Sequence, residues 1–355
     1  MVFREVAGRR AFGALLAASA LLGRGPASHA AVELSDEAAL VAEAWADVKR
    51  AFVDGGRLSA IDWEARRKVY LRERSYRSMD EARGAIRELL GELDDRWTRL
   101  LTPEELALTA RRYTARGDDG GGVADDDASD GVVLLRGVRA DGRPIALLRI
   151  GRMGARTPER VRAALAPLDA APPAELWVDL RGNLGGSFAS AVEVARLFLN
   201  SGERIVAVRR RAGPVETFDA LDAGPYADLP LRLLVDRNTA SAAEVLAGAL
   251  RDNGRADLLG ERTYGKGLIQ TVAKLADGSA LEITVARYET PAGRLVDQRG
   301  FEPDVPLDSE CSARVVGGGG SAAAASGGNV VAAARAEAER GLTCAQQARP
   351  KRGVV

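Results

Sequence analysis

Apolar residues recur at helical spacing in the part of the chain that follows residue 30. In residues 33–53 they follow one another by three or four positions, which is the spacing of one helix face. Residues 61–71 and 79–93 repeat this pattern. The run Thr-Pro-Glu-Glu at 102–105 predicts a helix start, since threonine caps helices, proline suits the first turn and acids complement the helix dipole. The pattern therefore predicts an N-terminal helical region over residues 31–115.

Further along, apolar runs of strand length alternate with helical patterns. Strands separated by helices indicate an α/β core, which we expect over residues 144–308. An Asp-Gly pair at 277–278 marks the turn of a hairpin. The predicted strands are 145–150, 176–180, 205–209 and 231–236, the helices are 158–168, 187–199 and 242–253, and the hairpin pairs 268–275 with 281–288.

The first 30 residues have the pattern of a cleavable targeting signal. A basic start precedes an apolar run at 11–23, and small residues at 28–30 suit a signal peptidase. The apolar run is too short to span a bilayer, so we expect no transmembrane span in the mature chain. Arg9 and Arg10 resemble a twin-arginine signal, and an ordinary secretory signal is the alternative.

Two further segments have the composition of linkers. Residues 116–143 are rich in glycine and aspartate, and the acidic run at 125–127 does not fit the pattern of a calcium loop. Residues 309–355 form a low-complexity tail of glycine, alanine and serine that contains Cys311 and Cys344. A solvated linker and a tail are therefore expected, without a metal site.

Composition limits the chemistry that the chain can perform. The 355 residues include 50 basic and 50 acidic side chains, and this balance argues against a nucleic-acid binder. Two cysteines cannot form a disulfide framework or a four-cysteine zinc site. The only histidine, His29, lies in the predicted signal. A hydrolytic mechanism in the mature chain would therefore need another base.

Ser241 lies where a buried strand turns into a helix. Free N–H groups at a helix N-terminus stabilise developing negative charge, so this serine is a candidate nucleophile. The strand–turn–Ser–helix order is that of a nucleophile elbow, although the G-x-S-x-G sequence is absent. Glu244 follows at the spacing of a capping box, so a plain helix cap is the alternative role for Ser241.

Lys266 is the candidate base. It lies between two glycines just before an apolar strand, and only five lysines occur in the chain. Desolvation in such a position lowers the pKa of a lysine and makes a neutral amine available near neutral pH. In an extended strand Gln270 would lie on the same face as Lys266 and could orient the amine. An exposed turn lysine is the alternative.

A glycine loop at 182–186 follows the strand at 176–180. Its sequence, RGNLGG at 181–186, matches neither the phosphate-loop pattern nor the dinucleotide fingerprint, so we expect no nucleotide cofactor and no other cofactor. Glycines in this position allow backbone N–H groups to approach a ligand closely. Simple turn formation is the alternative, but it requires fewer glycines.

Together these segments resemble the carboxyl-terminal processing peptidases, also called tail-specific proteases. The resemblance extends over about residues 34–307 and includes the 25-residue interval from Ser241 to Lys266. The matching motifs are VDLRGNLGG at 178–186, TASAAEVLAGALRDNGR at 239–255, GERTYGKGLIQ at 260–270, LADGSA at 275–280 and GFEPD at 300–304.

The resemblance implies a ClpP/crotonase-like α/β spiral core and assigns roles to residues. Ser241 would be the nucleophile, Lys266 the general base and Gln270 the residue that orients the lysine. The N–H groups of Gly186 and Ala242 would form the oxyanion hole. The implied activity is that of a serine endopeptidase that cleaves near exposed C-terminal tails of protein substrates.

The motifs ARYETPA at 286–292, EAWADVK at 43–49 and DDRWTRLLTP at 94–103 resemble the photosynthetic branch of the family. That branch implies maturation of a photosystem II reaction-centre precursor in the thylakoid lumen of a chloroplast. A twin-arginine signal that starts at Met1 would serve a bacterial periplasm as it stands, so a periplasmic tail-specific protease is the alternative.

The resemblance also implies a PDZ domain between the helical region and the core. The interval between 113 and 145 is too short for one, so the PDZ domain is expected to be missing, with Gly121-Gly122-Val123 as a remnant of its carboxylate-binding loop. A catalytically idle scaffold that has lost this domain is one rival function. A crotonase-like acyl-CoA enzyme of the same superfamily is another.

Overall fold

The computed structural model describes residues 34–114, 130–139 and 141–307. The predicted signal at 1–30, residues 116–129 of the predicted linker and the tail at 309–355 lie outside the described part of the chain. So do the acidic run at 125–127, the predicted PDZ remnant and both cysteines.

The secondary structure alternates as the apolar pattern predicts. The helices are α1 (Asp36–Ala51), α2 (Gly55–Ala60), α3 (Trp63–Lys68), α4 (Met79–Gly91), α5 (Pro103–Thr114), α6 (Thr157–Leu165), α7 (Phe188–Arg196) and α8 (Ala242–Asp252). The strands are β1 (Arg99–Leu101), β2 (Val133–Val138), β3 (Pro144–Arg149), β4 (Glu175–Asp179), β5 (Arg204–Arg210), β6 (Glu216–Asp219), β7 (Leu231–Val235), β8 (Ala256–Gly260), β9 (Leu268–Lys274), β10 (Ala280–Glu289) and β11 (Val305–Pro306).

The described residues divide into two compact units. The first comprises residues 34–108 and 270–285, and the second comprises the remaining described residues. The residues of β9 and β10 are shared between the two, because the division falls after residue 269 and after residue 285.

The first unit is built mainly from helices, which confirms the predicted helical region. Ser35 and Ser78 cap α1 and α4, since each side chain accepts a hydrogen bond from a backbone N–H of the first helical turn. The apolar faces of both helices are buried in one core cluster, which also contains Leu281 and Ile283 of β10, and β1 pairs antiparallel with β10. Trp45 and Trp63 each donate an indole N–H to the backbone carbonyl of the other.

The second unit contains a six-stranded sheet in the order β11-β8-β7-β4-β3-β2. All neighbours are parallel except β2, which pairs antiparallel with β3 at the edge. Helices α6, α7 and α8 follow β3, β4 and β7 along the chain. The central strands are buried along nearly their whole length, as expected for parallel strands covered on both faces. The predicted α/β core is therefore confirmed.

Several short strands fall where the sequence pattern does not predict them. Residues Val133–Val138 form β2 inside the segment expected to be linker, because this Val- and Leu-rich run pairs along its whole length with β3. The five residues of β8 carry too few apolar positions to mark a strand, yet they pair in parallel with β7. Both strands pair along their whole length with a neighbouring strand, and this pairing supplies their backbone hydrogen bonds.

Candidate active site

Four parallel strands end at one edge of the sheet in the second unit. The carboxyl ends of β3, β4, β7 and β8 are neighbours there, and the crevice outside such ends is where α/β sheets bind ligands. The loops that follow these strands carry most of the predicted site residues. They are residues 150–156, 180–187, 236–241 and 261–267.

Ser241 occupies the turn between β7 and α8. Its backbone has φ 56° and ψ −119°, a conformation that costs a non-glycine residue about 1–3 kcal/mol. The residue directly precedes α8, so its side chain is at the N-terminus of an 11-residue helix. A strained serine between a buried strand and a helix N-terminus is the geometry of a nucleophile elbow.

Glu244 joins the segment of Ser241 to the segment of Lys266. One carboxylate oxygen accepts the N–H groups of Ser241 and Lys266, both at 2.9 Å. The other accepts the N–H of Gly265 at 2.8 Å and the hydroxyl of Thr263 at 2.6 Å. The predicted capping-box spacing is present. The role of Glu244 extends beyond helix capping, because the same carboxylate also binds the loop that contains Lys266.

Burial raises the pKa of the Glu244 carboxyl above its ordinary value, and the four hydrogen bonds oppose that rise. The residue has no exposed surface. A buried carboxylate is costly unless its oxygens are hydrogen-bonded. The four hydrogen-bond donors satisfy both oxygens of Glu244, and they connect the turn of Ser241 to the loop of Lys266.

Lys266 lies in the loop after β8 and is half-buried. Its N–H is bound by Glu244, and its carbonyl oxygen accepts a hydrogen bond from the Tyr288 hydroxyl. The structure therefore brings the main chains of the predicted nucleophile and the predicted base to the same carboxylate. Sequence separation of 25 residues gives no direct sign of that contact.

The glycine loop after β4 packs directly against the nucleophile. A Cβ atom at Gly185 would lie 2.7 Å from the Ala240 carbonyl oxygen and 2.8 Å from the Ser241 Cβ. A Cβ atom at Gly186 would lie 2.1 Å from the Met153 carbonyl oxygen. Glycine is required at both positions because backbone approaches them from either side.

The N–H groups of Gly186 and Ala242 remain available for a ligand. Met153 donates to the carbonyl of Gly185 and accepts from the N–H of Ser187, so the Gly186 N–H is not used in this pairing. Among the residues that the structure describes, no hydrogen bond is made by the N–H of Gly186 or of Ala242. Two unpaired N–H groups beside a serine can stabilise an oxyanion.

Asn183 fixes the glycine loop against the nucleophile segment. Its side-chain oxygen accepts the Gly185 N–H at 2.9 Å, and its side-chain N–H donates to the Ile150 carbonyl at 2.9 Å. Its own carbonyl accepts the N–H of Ala240 at 2.9 Å. The side chain is completely buried. Sequence reasoning did not single out this residue, although its position inside the motif at 178–186 was the available signal.

Gln270 lies in β9 and belongs to the first unit. It is buried, and its amide N–H donates to the Thr284 hydroxyl at 3.5 Å. That contact is at the long limit of a hydrogen bond, so it holds the amide loosely. The predicted orientation of Lys266 by Gln270 stays a prediction.

Comparison with known proteins identifies the family of the chain. The family model described as "Peptidase family S41" matches residues 144–307. A carboxyl-terminal-processing protease of Picosynechococcus is 30% identical over 79% of this chain and 85% of its own length. A chloroplastic C-terminal processing peptidase of Tetradesmus obliquus is 31% identical over 78% of both chains.

The chain belongs to the S41 peptidase family. It is a serine-type C-terminal processing peptidase. A solved structure described as a photosystem II D1 C-terminal processing protease is 28% identical and superposes with a TM-score of 0.69, over 78% of this chain and 95% of that one. The α/β fold expected from the family resemblance is therefore confirmed, and protein is the class of substrate.

This S41 peptidase also has a buried ion cluster behind the glycine loop. Arg181 donates to Asp179 from Nε and Nη2, both at 2.8 Å, and Arg149 donates to it from Nη1 at 3.2 Å. Burial raises the pKa of Asp179, but the charges of Arg181 and Arg149 and the hydrogen bonds from Arg181 together outweigh burial and hold the pKa below its ordinary value. The cluster fixes the start of the glycine loop.

The described residues of the peptidase hold no group of three histidine, cysteine, aspartate or glutamate side chains that could bind a metal ion. In the same part of the chain, no helix is long and apolar enough to cross a membrane.

Proposed function

We propose that this S41 peptidase cleaves with a Ser–Lys dyad formed by Ser241 and Lys266. The observation that carries the proposal is the Glu244 carboxylate, which binds the backbone N–H groups of both residues through one oxygen. Both main chains are thereby held within hydrogen-bond distance of one atom. Histidine is not available as the base, because the only histidine of the sequence, His29, lies in the predicted signal.

In the proposed mechanism, the Ser241 hydroxyl attacks the scissile carbonyl carbon and its proton passes to the neutral amine of Lys266. The tetrahedral oxyanion accepts hydrogen bonds from the N–H groups of Gly186 and Ala242, which have no acceptor among the described residues. The tetrahedral intermediate then expels the amine of the leaving peptide, which takes the proton back from Lys266. Water, deprotonated by the same amine, attacks the resulting ester, and the Ser241 oxygen leaves with the proton that Lys266 returns, which restores the free enzyme and releases the carboxylate product.

Gln270 has the proposed role of orienting the Lys266 amine. It is buried and four residues beyond the lysine along the chain. A neutral amide can accept or donate a hydrogen bond at the amine and adds no charge that would stabilise the protonated form. Replacement by alanine should lower kcat and leave KM nearly unchanged.

The proposed substrate is the C-terminal extension of a photosystem II reaction-centre precursor. Support comes from the structure described as a photosystem II D1 C-terminal processing protease and from the chloroplastic relative. These relatives also favour the thylakoid lumen as the compartment, and the cyanobacterial relative keeps a periplasm-like compartment as the alternative. We also propose that the chain is divided at residues 30, 115, 143 and 308 and that it lacks a PDZ domain.

The test measures cleavage of the full-length precursor and labelling by a fluorophosphonate. Ser241→Ala and Lys266→Ala should each abolish cleavage, with the fold intact by circular dichroism. Ser201→Ala and Lys274→Ala are matched controls, because both residues are exposed. Retained cleavage in either dyad variant would refute the dyad. A wild-type chain that forms no adduct at Ser241 would instead support an idle scaffold.

A further inference from the structure

The Tyr288 hydroxyl contacts the backbone carbonyl oxygens of both Ser241 and Lys266. The distance to the Ser241 oxygen is 3.2 Å, and the contact with the Lys266 oxygen is shorter. A neutral phenol donates one hydrogen, which here is shared between two acceptors. One side chain therefore reaches the peptide groups of both proposed dyad residues.

These two contacts complement those of Glu244 on the same residues. Glu244 accepts the N–H groups of Ser241 and Lys266, whereas Tyr288 donates to their carbonyl oxygens. Each of the two residues is thus held at both polar groups of its main chain. Because a side chain projects from its own Cα, fixing both main chains limits where the hydroxyl and the amine can lie.

The strand around Tyr288 keeps the ring in place. Its N–H donates to the Gly267 carbonyl at 3.0 Å, and the residue pairs with Val208 of β5. The side chain is buried, with 3% of the residue exposed. Burial, followed by the charges of Glu244 and Asp297, raises the pKa of the phenol well above its ordinary value. The hydroxyl therefore keeps its proton and remains a donor throughout the working pH range.

We propose that Tyr288 is a positioning residue that sets the distance between the Ser241 hydroxyl and the Lys266 amine by binding the carbonyl oxygens of both residues. The inference rests on the proposed dyad. Tyr288 does not itself touch substrate in this role. Its hydroxyl contacts two loops, one that follows β7 and one that follows β8, and holds them at a fixed distance from each other.

Tyr288→Phe removes only the hydroxyl. The Ser241 carbonyl keeps the N–H donors of Glu244 and Val245, whereas the Lys266 carbonyl loses its contact with Tyr288. We expect kcat to fall by about 10- to 100-fold, the range produced by small misplacements of reacting groups, while KM changes by less than about twofold. The rate of fluorophosphonate labelling of Ser241 should fall in parallel, because acylation uses the same proton transfer.

Tyr226→Phe is the matched control. Tyr226 is a half-buried tyrosine of the same unit, and its hydroxyl interacts with Asp169 rather than with the dyad. This variant should lose a little thermal stability and keep the wild-type kcat and labelling rate. A folded Tyr288→Phe enzyme with wild-type kcat would overturn the inference.

A second variant decides the question if Tyr288→Phe does not fold. Replacing Tyr288 by 4-aminophenylalanine keeps an N–H donor at the ring end and supplies one hydrogen for each carbonyl. This enzyme should retain most of the wild-type kcat, and a folded enzyme with a large loss of kcat would overturn the inference. Activity in Ser241→Ala or Lys266→Ala would refute the dyad itself, so the two failures are distinguishable.

Discussion

A Cβ atom at Gly185 would lie 2.8 Å from the Cβ of Ser241, so the glycine loop packs directly against the nucleophile residue. Real Cβ atoms do not approach each other so closely, and the neighbouring contacts are backbone atoms that cannot turn aside. The loop that supplies the Gly186 N–H and the turn that supplies the Ala242 N–H are therefore packed directly on each other.

Gly185→Ala should inactivate the peptidase through this close contact. The methyl group must push the glycine loop away from Ser241 and so separate the two N–H groups of the proposed oxyanion hole. We expect kcat to fall by about 100-fold or more, as for loss of an oxyanion-hole donor. Steady-state cleavage of the precursor, together with the melting temperature, measures both effects.

Gly213→Ala controls for backbone strain in that experiment. Gly213 has φ +99°, close to the +92° of Gly185, but a Cβ atom there meets no atom within 4 Å. Both variants therefore carry a similar conformational penalty, roughly 1–2 kcal/mol for a side chain in left-handed geometry. Equal loss of activity in the two variants would contradict the role assigned to the contact with Ser241.

Glu244→Gln should impair catalysis although it preserves size. An amide has one acceptor oxygen, so its NH2 group must face either the pair of Ser241 and Lys266 donors or the pair of Gly265 and Thr263 donors. Either choice breaks two charge-assisted hydrogen bonds, and each such bond contributes about 1.5–3 kcal/mol. We expect kcat to decrease by about tenfold or more, because the main chains of Ser241 and Lys266 are no longer held by one acceptor and the reacting groups are misplaced.

Glu261→Gln is the control for Glu244→Gln. Glu261 lies in the same loop after β8, and its carboxylate pairs with Arg237 at the surface. Exposed pairs of this kind contribute little, so this variant should match the wild type in kcat and in melting temperature. A Glu244→Gln enzyme that is as active as the control would show that the shared carboxylate is dispensable.

The helices and the parallel strands were predictable because apolar spacing reports them directly. Helices α1 and α4 and strands β3, β4 and β7 are long or fully buried, and each carries enough apolar positions to reveal its period. The family could also be predicted, since its motifs are contiguous in sequence. Strand β2 was missed because its structure depends on pairing with β3.

The supporting residues of the site were not predictable in the same way. Ser241, Lys266 and Gly186 lie in recognisable local motifs. Glu244 showed only the spacing of a helix cap, and its contact with Lys266 depends on how two loops meet in space. Asn183 and Tyr288 lie inside the motifs at 178–186 and 286–292, but their hydrogen-bond partners Ile150, Ser241 and Lys266 are 33, 47 and 22 residues away in sequence, so the motifs do not reveal these contacts.

Asp179→Asn should destabilise the peptidase at neutral pH and less so in acid. Asp179 has a pKa below its ordinary value in the folded state, so its ion pairs contribute stability above the unfolded-state pKa of about 3.9. That contribution is lost as pH falls through the folded-state pKa. Removing one partner of a buried ion cluster costs about 3–5 kcal/mol.

Urea unfolding of wild type and Asp179→Asn at several pH values tests this dependence. The difference in unfolding free energy should be constant from neutral pH to about pH 5 and shrink below about pH 4. Glu244 titrates in both proteins and cancels in the difference. Asp141→Asn, which removes an exposed partner of Arg143, should follow the wild type throughout. A difference that does not depend on pH would exclude the ionised cluster as its source.

Trp63→Phe should destabilise the first unit more than Trp97→Phe does. The indole N–H of Trp63 donates to the Trp45 carbonyl at 3.2 Å in a buried environment, and phenylalanine leaves that oxygen without this donor and a gap beside it. The Trp45 carbonyl lies inside α1 and keeps its helical donor, so the lost hydrogen bond itself costs about 0.5–1.5 kcal/mol. Trp97 is half-buried, so its replacement removes less packing. Urea unfolding followed by far-ultraviolet circular dichroism gives both free energies, and equal values for the two variants would mean that the reciprocal Trp45–Trp63 bonds add no stability beyond ring burial.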